Sequence, residues 1–371
     1  MVADAATLTQ RELNRATLAR QRLLERSDMT ALEAVEHLAG MQAQTPHGPY
    51  VSLFSRIRGF DPQELSRLLA DRDVVRAWLM RSTVHLVSAR DCLEWWPLTD
   101  RVLARTFKGS HFSKQLGSAE LDDLLAVARE LVEDEPLMRA EIARRLAERW
   151  PDADVTSLGA AAGFRLPLVQ VTPRGLWGAS GQTKLTTIGR WLGADLAAEP
   201  SIDAMVLRYL GALGPAAVKD FQNWSGLTRI AEVAERLRPQ LATFRAEDGR
   251  ELFDLPEAPR PGADAPAPPR FLPEYDNVLL GHADRSRFLA GGAKDAKFFT
   301  GNGADNGTLL VDGLLKATWK MNASGSAAEL WVRPFKPLTR SDRADIEEEG
   351  HRLLELIAAH GAGHLVRISA R

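Results

Sequence analysis

Apolar positions recur at helical spacing from Leu13 to Leu24 and again through Leu32, Val35, Leu38 and Met41, which predicts two helices near the start of the chain. Thr30 and Glu33 form the capping-box pattern that opens the second, and Pro46 ends it near Thr45 because proline cannot continue a helix. A third apolar segment spans Tyr50 to Ile57. Asp61-Pro62 then supplies an N-cap and a first-turn proline for a helix to about Ala70. Over Ala77 to Val87 the period changes: β-branched and aromatic residues alternate in part, which predicts one strand, and Ser88 caps the helix that follows.

The same grammar repeats twice. Helices over Leu121–Leu131, Met138–Arg149 and Leu158–Phe164 precede a strand at Leu168–Val171, a turn at Pro173-Arg174-Gly175 and a returning strand at Leu176–Gly178. Helices over Ile202–Leu213, Ala216–Trp224 and Thr228–Leu237 precede a hairpin from Leu241 to Leu255, turning at Asp248-Gly249, a pair that favours the positive φ such turns need. Three helices and a hairpin make the sequence shape of a winged helix, so the pattern predicts tandem modules over 1–115, 116–200 and 201–256. Six prolines between Pro256 and Pro269 mark a linker, bounded at 257–270. Beyond it, short apolar runs at Phe271-Leu272, Val278–Leu280, Lys297–Thr300, Gly307–Lys320 and Glu329–Arg333 predict strands. Thr339 caps a last helix, Arg343–His360, and Gly363–Ile368 returns as a strand. The fold class expected is α+β: tandem winged-helix modules and a C-terminal antiparallel β-rich domain over 271–371.

Composition narrows the function. With 371 residues, a single cysteine and a formal net charge of -2, the chain has neither a disulfide pair nor a uniformly basic coat. Residues 1–115 and 270–336 are mildly basic and the rest mildly acidic. No apolar leader or membrane-length run is present, so a cytoplasmic protein with no membrane partner is expected. The eight histidines are scattered, and phosphate loops, GxSxG, HExxH and dinucleotide fingerprints are missing, so no metal and no cofactor is expected. Cys92 is expected to be buried and inert, and the tryptophans to lie in the core or between modules.

The unusual element is Gln42-Ala43-Gln44, read here as the end of the second helix. Two glutamines there either satisfy end carbonyls or, where the helix frays, bring both amides to one cavity. An amide both donates and accepts, so a pair can hold and orient a water without being a strong base.

Gln42-Ala-Gln44 followed by Pro49-Tyr-Val-Ser-Leu-Phe-Ser-Arg56, Arg81-Ser-Thr-Val-His-Leu86, Gly214 to Leu227, Leu272-Pro-Glu-Tyr-Asp276 with Gly281-His-Ala-Asp-Arg285, and Val311-Asp-Gly313 through Thr318-Trp319 resemble, in order, the bacterial tandem winged-helix DNA glycosylases, the AlkZ/YcaQ-like proteins. The Gln-apolar-Gln form is similar to the azinomycin-resistance branch; another branch carries Gln-X-Asp. The resemblance implies a glycosylase acting on N7-alkylated purines and on interstrand crosslinks, in self-resistance or in general repair, with Gln42 and Gln44 as its catalytic residues; no lysine is singled out as a Schiff-base nucleophile, so a monofunctional enzyme is expected. It further implies a C-shaped monomer whose concave basic face takes duplex DNA, and a β-hairpin reaching the lesion. Lys294 to Gly307 is the candidate hairpin, with Arg285, Arg287, Lys294 and Lys297 as DNA contacts; the wing around Arg174 and Lys184 competes for that role. Arg81, Thr83 and His85 alternate on the expected strand, where they line the cleft or make structural hydrogen bonds. His47, beside the glutamines, is a further candidate DNA contact. The rival reading is a non-catalytic winged-helix DNA-binding protein, such as a transcription regulator.

Overall fold

The computed structural model describes residues 6–289, 307–324, 327–357 and 363–369. A two-residue strand, β1 (Thr7–Leu8), leads into α1 (Gln10–Arg20), whose first turn is closed by reciprocal hydrogen bonds between Thr9 and Glu12. An order of helix, strand, two helices and two strands then appears. It comprises α2 (Ala31–His37), β2 (Met41–Gln42), α3 (Gly48–Phe54), α4 (Pro62–Asp71), β3 (Val74–Trp78) and β4 (Val84–Ser88). Ser88 caps the long α5 (Ala89–Gly109), and the order repeats as α6 (Leu121–Asp134), β5 (Leu137–Met138), α7 (Arg139–Arg149), α8 (Val155–Arg165), β6 (Leu168–Gln170) and β7 (Lys184–Thr187). After α9 (Ile188–Leu192) come α10 (Ile202–Leu213), α11 (Val218–Ser225), α12 (Ile230–Leu237), β8 (Ala242–Ala246) and β9 (Glu251–Asp254). Here the first strand is reduced to a bridge between Ala216 and Phe253.

The strands of the first two repeats join edge to edge in the order β2-β4-β3-β6-β7-β5. The joint is antiparallel and sets Arg76 opposite Gln170 and Ala77 opposite Val169. Within each half the last strand of the repeat lies between the other two. The third repeat takes β1 as a parallel edge strand on β8. The C-terminal part is a mixed five-stranded sheet of β10 (Arg270–Leu272), β11 (Gly307–Val311), β12 (Leu314–Ser324), β13 (Ala327–Pro334) and β14 (Gly363–Ile368), with α13 (Asn277–Leu280) after its first strand. Only the β13–β14 pair is parallel, because α14 (Arg340–Ile357) makes the crossover a parallel connection requires. That helix buries Ile346, Leu353 and Leu354 against Leu309, Leu330 and Val332.

Apolar packing and buried ion pairs hold the parts together. Trp95 of α5 meets Trp224 of α11 edge-on at 6.3 Å in the largest core cluster. Arg20 of α1 pairs with Asp254 of β9 at 2.6 Å, both side chains buried, and Arg260 of the proline-rich segment reaches the same carboxylate at 2.6 Å. Charges removed from water this way persist only when fully partnered.

Four expectations are corrected. Ala77–Val87 is a hairpin with a tight turn at Met80–Ser82, where Arg81 and Ser82 have φ of 56° and 58°. The second helix stops at His37, well before Pro46. Leu176–Gly178 is irregular, and the returning strand is Lys184–Thr187. Val278–Leu280 is helical because the Asp276 carboxylate accepts from the Val278 amide and caps the turn. Lys297–Thr300 lies outside the described residues.

Candidate functional site

Gln42-Ala43-Gln44 sits on an extended segment at the edge of the joined sheet. The preceding helix ends because Ala39 and Gly40 adopt φ of 55° and 80°, which turns the chain out of the helical path. Gln42 then lies opposite His85 in the β2–β4 ladder, and the Ala43 amide donates to the Val84 carbonyl at 2.7 Å, extending the pairing by one residue. The motif is therefore strand-like and not a frayed helix end. The two amides border separate spaces, so the shared cavity that was one of the two readings is not formed. Gln42 is 8% exposed and abuts a void of about 10 Å³ beside Gln21, Ser52, Arg56, Asp276 and Asn277. Gln44 is exposed and lies on the wall of a cavity of about 550 Å³.

That larger cavity lies across the joint between the two half-sheets. Its polar lining is Gln44, Arg76, Gln170, Gln182, Thr183 and Arg139, with Trp78 contributing a ring. Among the described residues that line it there is neither a carboxylate nor a histidine. Arg76 is buried and donates to the Ala43 backbone carbonyl at 2.7 Å and to Gln170 Oε1 at 3.2 Å, holding the middle of the motif in place. Burial, helped by nearby Arg174, lowers its guanidinium to about 10, so it stays charged at neutral pH. Arg139, at the start of α7, is exposed. Sequence reasoning did not single out Arg76, Arg139, Gln170 or Gln182; the edge-to-edge joint that gathers them has no local signal.

A second cavity, of about 750 Å³, is lined by Thr45 and His47, just after the motif, and by Trp177, Glu274, Trp319 and Lys320 among others. His47 is exposed at its rim, with its ring edge-on to Trp177 at 6.0 Å.

Arg81 sits in the hairpin turn and not on a strand face. From the turn, its Nη1 donates to the Trp224 carbonyl at 2.7 Å, and its Nη2 donates to Gln42 Oε1 at 2.8 Å and Asn277 Oδ1 at 3.1 Å. Burial first, then the charge of Arg285, lowers this guanidinium to about 10. His85 is fully buried, which removes it from any direct contact with DNA. Its Nδ1 donates to the Thr83 carbonyl at 3.0 Å, leaving the Nε2 lone pair towards Arg81 at 3.5 Å. Arg287 is likewise corrected: it is buried, donating to Thr17 Oγ1 at 3.0 Å and to the Pro215 carbonyl at 3.1 Å, so its charge serves the interior. Arg285 is partly buried, and Lys294 and Lys297 lie outside the described residues.

Desolvation lowers the pKa of His85 to about 3 from an ordinary 6.5, and burial also lowers His37 and His282. Between pH 6.5 and those lowered values the unfolded chain binds more protons than the folded one, so stability is full above pH 6.5 and lost as pH falls. For His85 and His282, both lowered to about 3, the slope approaches about 1.4 kcal/mol per pH unit once pH is well below 6.5, and His37 adds in the same direction. Urea denaturation between pH 7.5 and 5.5 should show the loss; constant stability would contradict the buried neutral histidines.

Among the described residues no helix is long and apolar enough to cross a membrane, and no cluster of His, Cys, Asp and Glu could hold a metal ion. A family model described as DNA glycosylase AlkZ-like matches residues 35–356. An interstrand DNA cross-link repair glycosylase of Streptomyces sahachiroi is 24% identical over 348 residues, covering 89% of this chain and 91% of that protein. The solved structure of the Streptomyces sahachiroi DNA glycosylase AlkZ shares the fold, with a TM-score of 0.78 at 23% identity over 98% of this chain and 100% of that one.

Proposed function

The chain belongs to the AlkZ-like DNA glycosylase family, and on that premise we propose that it hydrolyses the N-glycosidic bond of N7-alkylated purines in duplex DNA and unhooks interstrand crosslinks. The observation that carries this reading is the cavity beside Gln44, whose described lining offers amides and guanidinium groups but no general base. A purine alkylated at N7 is already cationic, so its bond to C1′ breaks without prior protonation. What is left is to position a water and to support the oxocarbenium-like transition state, a task of placement and electrostatics that neutral amides can perform. The same weakness spares normal bases, whose departure needs an acid. Gln42 and Gln44 are the catalytic residues in this reading, and hydrolysis without lyase cleavage follows from their chemistry.

The three repeats are winged helices in this reading, over 1–115, 116–200 and 201–256, with 257–270 as linker and 271–371 as the β-rich domain. The strand orders β2-β4-β3 and β5-β7-β6 support it, since the last strand of each repeat is central, as a wing requires. A C-shaped monomer would lay duplex DNA along the joined sheet. Exposed Arg139 and His47 suit phosphate or groove contacts at the two cavities, and Arg285, Lys294 and Lys297 remain candidates nearer the C-terminal domain. The name of the Streptomyces relative supports crosslinks as substrates.

The test is incubation with duplexes containing N7-methylguanine or a drug-derived interstrand crosslink, scoring alkali-labile abasic sites in single turnover. Wild-type protein should release base, and Gln42→Ala and Gln44→Ala should each slow release about a hundredfold, with affinity for undamaged duplex within about threefold. Tight DNA binding without release from either substrate would instead favour a non-catalytic DNA-binding protein.

A further inference from the structure

We infer that Arg81 is a positioning residue that fixes the Gln42 amide with its carbonyl turned inward and its N–H donor turned out, so that the two glutamines have different tasks. This rests on the glutamine pair of the proposed function and divides its labour.

The argument begins with what a guanidinium can do. Arginine has donors and no acceptor, so the 2.8 Å contact from Arg81 Nη2 must fall on the Gln42 oxygen, and the alternative amide orientation would set two donors against each other. Arg81 is itself immobilised from three directions. Trp224 in α11 and Asn277 in α13 accept from it, and the buried His85 lies behind it. Asn277 is anchored in turn by its Nδ2 donating to the Gly40 carbonyl at 3.2 Å, two residues before Gln42. The left-handed backbone at Arg81 and Ser82 aims the guanidinium at β2. Among the described residues no hydrogen-bond partner is found for Gln42 Nε2, which remains a donor at the site.

The electrostatic consequence separates the two residues. A carbonyl oxygen already facing a cation is a poor partner for a sugar that is becoming positive. Gln44 is exposed on the cavity wall, and among the described residues no hydrogen bond to its amide oxygen is found, so it is the acceptor that orients the water. In the reaction, the water oxygen bonds to C1′ as the C1′–N9 bond breaks. The bonding pair moves into the purine and neutralises its charge, and the water's extra proton passes to solvent along the Gln44 hydrogen bond. Gln42 Nε2 donates to an electron-rich acceptor of the lesion, such as the departing purine or a sugar or phosphate oxygen.

Gln42→Glu tests this directly, because the carboxylate keeps an acceptor for Arg81 but loses the outward N–H. If the donor is the working group, Q42E loses about a hundredfold in single-turnover base release from N7-methylguanine duplex, like Q42A, while its melting temperature and duplex affinity stay near wild type. If the carbonyl is the working group, Q42E stays within about threefold of wild type or exceeds it, and the assignment is overturned. Arg81→Met supplies a second reading, since a residue acting through Gln42 adds no further loss in a Q42A background, whereas a merely structural one lowers the rate again. Should Q42E fail to fold, R81K and R81M decide: release restored by R81K and lost in R81M supports the assignment, and equal rates overturn it. Absence of release by the wild-type protein would instead remove the glycosylase reading, and this division of labour with it.

Discussion

Asp276→Ala should destabilise the protein by about 3–5 kcal/mol, because it strands a buried guanidinium. The Asp276 carboxylate accepts from Arg56 Nη1 at 2.9 Å and Nη2 at 2.7 Å, from Ser52 Oγ at 3.0 Å and from the Val278 amide at 3.0 Å. Both members of the ion pair are buried. Without the carboxylate, Arg56 keeps only neutral partners, Gln21 Oε1 and the oxygens of Ser52, which cannot balance its charge. The cap of α13 is lost in the same substitution, and that helix carries Asn277, one of the groups that hold Arg81. Urea denaturation of Asp276→Ala beside the double variant Arg56→Met/Asp276→Leu separates the two contributions. The double variant should recover much of the loss, since an apolar pair of similar volume replaces the buried charges. A loss below about 1 kcal/mol in the single variant would mean that water reaches Arg56 in its place.

How far this arrangement was legible in the sequence depends on how local its causes are. The helices of the third repeat and the Asp248-Gly249 hairpin follow from apolar period and turn chemistry within a dozen residues, and they stand where the pattern puts them. The hairpin at Val74–Ser88 does not. Its turn, Met80-Arg81-Ser82, contains no Gly, Asn or Pro, and of its two residues in left-handed backbone Arg81 is held by contacts from α11 and α13 far along the chain and Ser82 by Thr106 of α5. The second helix was read too long because Met41 continues the apolar period, although Gly40 already carried the signal of a stop. The glutamine pair stood out in the sequence, but its catalytic role was implied only by resemblance. Arg287 was expected at the DNA from its place beside the candidate hairpin, and His85 either there or in structural hydrogen bonds. Their burial depends on carbonyls of Pro215 and Thr83 that no spacing rule locates. The cavity beside Gln44 required knowing that β3 and β6 pair edge to edge, a long-range fact that brings Gln170 to Arg76.

Gly40→Ala should both weaken the fold, by about 2–4 kcal/mol, and slow base release about a hundredfold, because it acts on the residue that aims β2. Gly40 has φ of +80°, and a Cβ there would lie 2.6 Å from Val87 Cγ1 and 3.2 Å from the Leu86 carbonyl oxygen. The left-handed backbone costs roughly 1–2 kcal/mol with a side chain, and relief of the clash adds the remainder by pushing β2 away from β4. That displacement is transmitted to Gln42 two residues on, and through the Gly40 carbonyl to Asn277 and Arg81. Gly249→Ala is the matched control: its φ is +83° but nothing lies within 4 Å of the added methyl, so it isolates the backbone cost at a site remote from the motif. The expected result is a modest loss of stability in Gly249→Ala with full activity, against a larger loss in Gly40→Ala with activity reduced well beyond what unfolding explains. Equal stabilities and equal rates in the two variants would show that the β2 ladder absorbs the methyl without moving Gln42, and that the placement of the motif does not depend on the close approach at Gly40.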